Sequence, residues 1–206
     1  MNDPVNPVGD ACIMVFARAP LPGQCKTRLI PALGAQGAAD LHEKLVRRAL
    51  AEASAALPAA LELWCTPDGT HPFFAACARD YRVTLREQGG GDLGERMQRA
   101  IGRALRSHDR AIIIGSDIPA LDTAYLVAAA AALELAPAVF GPAEDGGYVL
   151  VGLRQVAPEL FSEIEWGGPL VMAQTRAHLV RLGMQATELA TLWDLDRPED
   201  LARLRW

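Results

Sequence analysis

Ala11-Cys12-Ile13-Met14-Val15-Phe16-Ala17, running straight into Arg18-Ala19-Pro20-Leu21-Pro22-Gly23-Gln24-Cys25-Lys26-Thr27-Arg28-Leu29, is the stretch that decides the fold. An apolar run without a polar face suits a strand buried on both sides, as in a parallel sheet. Ligands of such sheets gather at the carboxyl ends of the strands, so the loop after this run is where a site is expected. Gly23 stands three residues before Lys26, with Arg18 and Arg28 close by. Pliable backbone beside clustered cations suits a polyphosphate. The spacing is not that of the GxxxxGK[ST] phosphate loop. The competing reading is a solvated loop with ordinary surface cations.

Working outward, Leu41, Leu45, Ala49, Ala53 and Leu57 recur at steps of four and predict a helix over about 36–57. Strands are expected at 61–65 and 81–87, with a short helix at 73–79 between them. Asp92 and Glu95 have capping-box spacing ahead of a helical pattern through Leu105. The run 111–115 reads as the central strand. A helix over 122–134, strands at 138–141 and 148–153, a helix over 169–182 and a short closing helix over 197–204 complete the pattern. Strands alternating with helices predict an α/β fold, a three-layer sandwich around a mainly parallel sheet. The 206 residues fit a single domain, 1–206, with residues 1–10 expected to be flexible.

Half of the residues are hydrophobic, enough for a core, and the net charge is −5. The basic residues are scattered rather than striped, which argues against a nucleic-acid partner. No apolar stretch reaches the ~20 residues of a membrane span and no signal-like start is visible, so a cytoplasmic protein is expected. Cys12, Cys25, Cys65 and Cys77 lack paired spacing and read as reduced thiols. His42, His71, His108 and His178 show neither zinc spacing nor a hydrolase partner motif.

Four further segments carry polar residues. Asp117, in Gly115-Ser116-Asp117-Ile118-Pro119, follows the central strand and is the best candidate to hold Mg²⁺, which takes one or two carboxylates together with phosphate oxygens; a turn cap is the plain alternative. Asp145-Gly146-Gly147-Tyr148 joins a carboxylate to two glycines that allow close approach, a place for a second substrate or simply a hairpin turn. Gln88, Gly91 and Asp92 belong to a glycine loop opening onto a helix, suited to a base or phosphate, or else a connector capped by Asp92. Asp194 and Asp196 lie two apart and share a face if extended, with Asp196 the second metal candidate or a helix cap.

Taken together, Pro20-Leu21-Pro22-Gly23-Gln24-Cys25-Lys26-Thr27-Arg28-Leu29, Gly91-Asp92-Leu93-Gly94-Glu95-Arg96-Met97, Gly115-Ser116-Asp117-Ile118-Pro119, the run from Gly141 to Leu153, and Asp194-Leu195-Asp196-Arg197-Pro198-Glu199-Asp200-Leu201 resemble a bacterial family. Its members are glycosyltransferase-A-like transferases associated with radical-SAM and selenoprotein genes. The resemblance runs from about residue 12 to 204. It implies a Rossmann-like nucleotide-diphospho-sugar transferase fold, similar to that of phospholactate guanylyltransferase and the molybdenum-cofactor guanylyltransferase.

The same resemblance implies that Lys26 and Arg28 touch donor phosphates, and Arg18, Gly23, Gln88, Gly91 and Asp92 of the two glycine loops are expected to bind the nucleotide with them. Asp117 and Asp196 would hold Mg²⁺ or Mn²⁺, Lys26 and Asp117 would be catalytic, and Asp145, Gly146, Gly147, Tyr148 and Trp166 would face the acceptor. The chain departs from the family where Gly167 and Gly168 follow Trp166 in place of Ser-Thr, where Arg197 replaces a threonine, and where Asp117 stands alone instead of in an Asp-x-Asp pair. The expected activity is glycosyl transfer from a nucleotide sugar to a small-molecule acceptor. Nucleotidyl transfer with release of pyrophosphate and non-catalytic nucleotide binding are the alternatives.

Overall fold

The computed structural model describes residues 10–56 and 58–205. Residues 1–9, most of the stretch expected to be flexible, and Leu57 of the helical pattern lie outside the described residues. Seven strands, β1 (Ala11–Arg18), β2 (Ala60–Thr66), β3 (Thr84–Glu87), β4 (Arg110–Gly115), β5 (Ala138–Pro142), β6 (Tyr148–Leu153) and β7 (Ala186–Glu188), alternate with α1 (Ile30–Ala55), α2 (Pro72–Tyr81), α3 (Leu93–Ala104), α4 (Thr123–Leu135) and α5 (Val171–Leu182). The strands form one sheet in the order β3-β2-β1-β4-β6-β5-β7. It is mainly parallel, with β6 reversed against both β4 and β5.

Alternation along the strands builds the two faces. Ala11, Ile13, Val15 and Ala17 of β1 join Ile112 and Ile114 of β4 under α1, α2 and α4, while Cys12 and Met14 join Ala111 and Ile113 under α3 and α5. Both sides of these strands are therefore covered, which is why they read as unbroken apolar runs. Each fully buried isoleucine contributes about 1.5–3 kcal/mol relative to exposure.

The structure corrects several expected boundaries. Helix α1 begins at Ile30 and bends at Gly34, whose φ of 71° interrupts the helical backbone. Strand β3 starts only at Thr84, because α2 runs to Tyr81 and Arg82 turns left-handed. The closing segment is a 3-10 helix, Pro198–Arg203, rather than an α-helix. Strand β7 was not anticipated: Ala186-Thr187-Glu188 is too short to show a period.

Topology decides where the site lies. Parallel β1 and β4 are direct neighbours, with Phe16 opposite Gly115, so the loops after Arg18 and Gly115 leave from the same sheet edge. Reversed β6 starts at that edge and β5 ends there, with Tyr148 opposite Pro142, so the 143–147 turn joins them. Among the described residues no helix is long and apolar enough to cross a membrane.

Candidate functional site

The loop after β1 is pulled inward. Lys26 takes a left-handed backbone, φ 47° and ψ 41°, although it is not glycine. Such a conformation costs about 1–3 kcal/mol and persists only where surrounding contacts hold it. Here the contacts are visible: its ammonium lies 2.9 Å from an Asp117 oxygen, donates a hydrogen bond to the Leu195 carbonyl, and leaves the side chain only 5% exposed.

Asp117 is met from a second side by His42 on α1. The His42 Nε2 bonds the Arg18 carbonyl at 2.9 Å, and because a carbonyl can only accept, that nitrogen carries the hydrogen. Its Nδ1 lies 3.4 Å from Asp117 Oδ1, an electrostatic approach rather than a formed hydrogen bond. A protonated ring would set a second cation against the carboxylate. Burial alone would raise the Asp117 pKa, but the Lys26 charge, with His42 adding to it, holds the carboxyl well below the usual carboxylate range.

The closing segment is stitched to the same point. Leu195 donates its N–H to the Asp117 carbonyl at 2.8 Å, and its side chain is fully buried beside Leu29 and Ala38. Asp194 and Asp196 on either side of it part company, as neither was expected to do. Asp194 lines a cavity with Asp117 and Asp145, whereas Asp196 lines a concavity with Asp117, Lys26 and Arg28. Asp196 forms an ion pair with Arg28 and is not the cap of the closing helix; the cap acceptor is Asp200, which takes the N–H groups of Asp196 and Arg197 at 3.0 and 2.7 Å. Burial and then the nearby Asp145 charge raise the Asp194 pKa.

Asp117 thus stands between two concavities of unlike character. One, of about 450 Å³, gathers Arg18, Lys26, Arg28, His42 and Asp196. The other, of about 250 Å³, is lined chiefly by apolar side chains together with Asp145, Gly147, Tyr148 and Trp166. The 143–147 turn is fastened at the second. Asp145 accepts the Gly147 N–H at 2.9 Å, Gly146 (φ 91°) passes so close to Pro169 that a Cβ would lie 2.0 Å from its carbonyl oxygen, and Glu144 holds Arg203 through two bonds of 2.8 and 2.9 Å.

The second glycine loop is placed differently. The Gln88 side-chain amide donates to the Trp64 carbonyl at 2.8 Å and accepts from Arg96 at 3.0 Å, and Asp92 and Glu95 form a reciprocal capping box. At Gly91 a Cβ would collide with the Glu95 carboxylate. Gln88, Gly91 and Asp92 line neither concavity beside Asp117. The residue that links this loop to the first is Arg96, whose pKa is lowered by burial and then by the neighbouring Arg18 charge. The four cysteines are free and buried, and burial pushes the Cys12 and Cys65 thiols up to about 12, so none is set up as a nucleophile.

Among the described residues no group of three or more His, Cys, Asp or Glu side chains is disposed to chelate a metal alone. The donor chemistry nevertheless fits a hard divalent cation. Asp117 offers a carboxylate at the wall shared by the two concavities, with Asp196 in the cationic one and Asp194 in the other, and Mg²⁺ in particular completes its shell with substrate phosphates and waters.

His42, Asp194 and Arg96 are the neighbours of this site that the sequence reading did not assign. Asp194 was within reach of the two-residue alternation around Leu195. No local signal marks His42, because its contacts with Arg18 and Asp117 are made across the fold.

A crystal structure of a proposed nucleotide-diphospho-sugar transferase from Desulfovibrio desulfuricans G20 is 33% identical, with a TM-score of 0.83, covering 91% of this chain and 83% of that one. CMP:2-keto-3-deoxy-manno-octonic acid synthetase complexed with CTP matches at 10% identity and a TM-score of 0.58, over 95% of this chain and 96% of that one. Glucosyl-3-phosphoglycerate synthase from Mycobacterium tuberculosis, in complex with Mn²⁺, UDP and glucosyl-3-phosphoglycerate, matches at 13% identity and a TM-score of 0.58, over 98% of this chain and 81% of that one. At such identities the last two establish likeness of fold. No curated protein matches the chain. A family model spans residues 49–168, more than half of the chain, and the chain belongs to that family, described as "Uncharacterized protein conserved in bacteria (DUF2064)".

Proposed function

We propose that this protein is a transferase that takes a nucleotide donor and passes part of it to a small-molecule acceptor, with Mg²⁺ or Mn²⁺ beside the donor phosphates. The observation that carries the reading is that Asp117 is the shared wall of a cationic concavity and an apolar one. A group transfer needs such an arrangement, with donor and acceptor meeting at one charged point.

In this reading Lys26 and Arg28 exchange their present carboxylate partners for phosphate oxygens, and Arg18 adds charge at the back of the same concavity. Asp117 and Asp196, with Asp194 adjacent, would hold the cation, which when bound neutralises charge on the phosphates. The left-handed turn at Lys26 keeps its ammonium beside Asp117, within the concavity where charge would develop on the leaving group. Tyr148, Trp166 and the 145–147 turn shape the space on the acceptor side.

The reaction preferred is glycosyl transfer from a nucleoside diphosphate sugar. A nucleotidyl transfer, with an acceptor phosphate attacking the α-phosphorus of a triphosphate, is the second reading. It is favoured by Lys26 and Arg28 standing on one turn, which supplies two cations for a longer phosphate chain. Incubation with Mg²⁺ or Mn²⁺, a panel of nucleotide sugars and triphosphates, and candidate acceptors separates them. Release of a nucleoside diphosphate is expected, release of pyrophosphate alone overturns glycosyl transfer, and nucleotide binding unchanged by Asp117→Ala and without any product overturns the enzyme.

A further inference from the structure

We propose that the cations of the first loop keep the two carboxylates beside the cationic concavity closed to a bare metal ion, so that Mg²⁺ or Mn²⁺ is taken up only together with a ligand carrying at least two phosphate groups. That this ligand is a transfer donor rests on the transferase reading above; the exchange of partners at Asp117 and Asp196 stands without it.

Each carboxylate of this concavity already has a cation against it. Asp117 lies 2.9 Å from the Lys26 ammonium, and Asp196 pairs with the Arg28 guanidinium. The two cations stand two residues apart on one turn, whereas their partners come from the loop after β4 and from the closing segment. Three cationic side chains, Arg18, Lys26 and Arg28, line the concavity against these two carboxylates. A dication entering alone meets an excess of like charge and must dislodge an ammonium or a guanidinium to reach oxygen. A polyphosphate meets the opposite sign.

The two pairs differ in strength. Lys26 is only 5% exposed, and its ammonium also donates to the Leu195 carbonyl, while the Leu195 N–H is bound to the Asp117 carbonyl at 2.8 Å. Asp117 itself keeps 40% of its side chain exposed, so its carboxylate is within reach of an entering ion once Lys26 is drawn off. Arg28 and Asp196 are 66% and 33% exposed, and solvent screens their attraction. Lys26 is the main latch and Arg28 the lesser one.

Phosphate oxygens give the two cations what they lose on leaving the carboxylates. One phosphate answers one of them, and releasing both takes two. Asp117 and Asp196 are then left with uncompensated charge, which suits a hard divalent ion that shares its shell with phosphates and waters. By linkage, the anion tightens the metal and the metal tightens the anion by the same factor. A lysine that merely props up Asp117 predicts the other sign, since its removal would weaken metal binding or leave it unaltered.

The test is equilibrium dialysis of Mn²⁺ against the full chain, alone, with inorganic phosphate and with pyrophosphate, the excess over the protein-free side giving the bound ion. The unmodified protein is expected to hold Mn²⁺ weakly by itself, no better with phosphate, and about 10-fold more tightly or better with pyrophosphate. Lys26→Met should bind Mn²⁺ alone on the order of 10- to 100-fold more tightly than the unmodified protein and lose most of the pyrophosphate enhancement. The gain should disappear when Asp117→Asn is added. Arg28→Met, at an exposed position whose loss does not threaten the fold, should gain about 2- to 5-fold and keeps the proposal testable if Lys26→Met fails to fold. Mn²⁺ held by the unmodified protein alone as tightly as with pyrophosphate, phosphate as effective as pyrophosphate, or no gain in either folded variant overturns it. Enhancement by pyrophosphate and gain in the variants, with no product from any nucleotide, leaves the exchange standing and removes the transferase; product formed by a protein that holds bare Mn²⁺ just as tightly does the opposite.

Discussion

The two glycine loops at the carboxyl edge of the sheet are made of similar residues and do different things. In loop 18–29 the polar groups reach far along the chain: Lys26 to Asp117 and Leu195, Arg28 to Asp196. In loop 88–92 they are spent mostly on the Asp92–Glu95 capping box and on Arg96 and Arg99 of the helix that follows, the exception being the Gln88 amide, which also donates to the Trp64 carbonyl of β2. Glycine and charge in a loop therefore do not mark a ligand site by themselves. What distinguishes them is whether the loop's own helix already satisfies the polar atoms.

The contrast can be broken most sharply at Lys26. Lys26→Met should lower turnover on the order of 100- to 1,000-fold, as loss of one preorganised charge contact does, with the fold retained by circular dichroism. A rate near that of the unmodified protein would mean that the first loop is no more a working part than the second. Gln88→Leu comes next and should act on stability instead. Stranding the Trp64 carbonyl and Arg96 is expected to cost about 1–3 kcal/mol in urea unfolding while nucleotide affinity holds. If affinity falls and stability does not, Gln88 is a ligand after all and the two loops are alike.

Asp92→Ala removes only a helix cap. It should destabilise by about 1 kcal/mol, and so lower the melting temperature by about 2–4 °C without touching turnover. The smallest effect calibrates the others. Arg176 and Glu188 form two bonds of 2.7 Å, but on the surface, and an exposed pair is worth about 0–1 kcal/mol because solvent screens it. The hydrogen bond from Arg176, outweighing the opposing effect of burial, holds the Glu188 carboxyl below its ordinary 4.5. The unfolded chain therefore takes up the proton first. The pair's contribution is present above pH 4.5 and is lost as pH falls through the lowered value. The difference in urea midpoint between the unmodified protein and Glu188→Gln should be small at pH 7 and vanish on acidification; a difference that grows on acidification would reverse that sign.

Much of the architecture was legible because buried parallel strands advertise themselves as apolar runs and the helices as steps of four. Asp117 could be placed at a strand tip for the same reason. What escaped is non-local or too short for a period. His42 sits mid-helix and approaches Arg18 and Asp117 only across the fold, and Asp194 was seen beside Asp196 without any sign that the two would face different concavities. The reversal of β6 has no signature either, since a strand buried on both faces reads the same in either direction.

The bond from Leu195 to Asp117 and the one from Lys26 to Leu195 have a consequence in time. A nascent chain can close β1 and β4 against each other while residues 193–203 are still inside the ribosome, yet Lys26 then lacks the carbonyl that anchors it and Asp194 and Asp196 are missing altogether. The surroundings of Asp117 are therefore completed only once that late segment is made, so a partly made chain can already have the shape of the sheet while this point is unfinished.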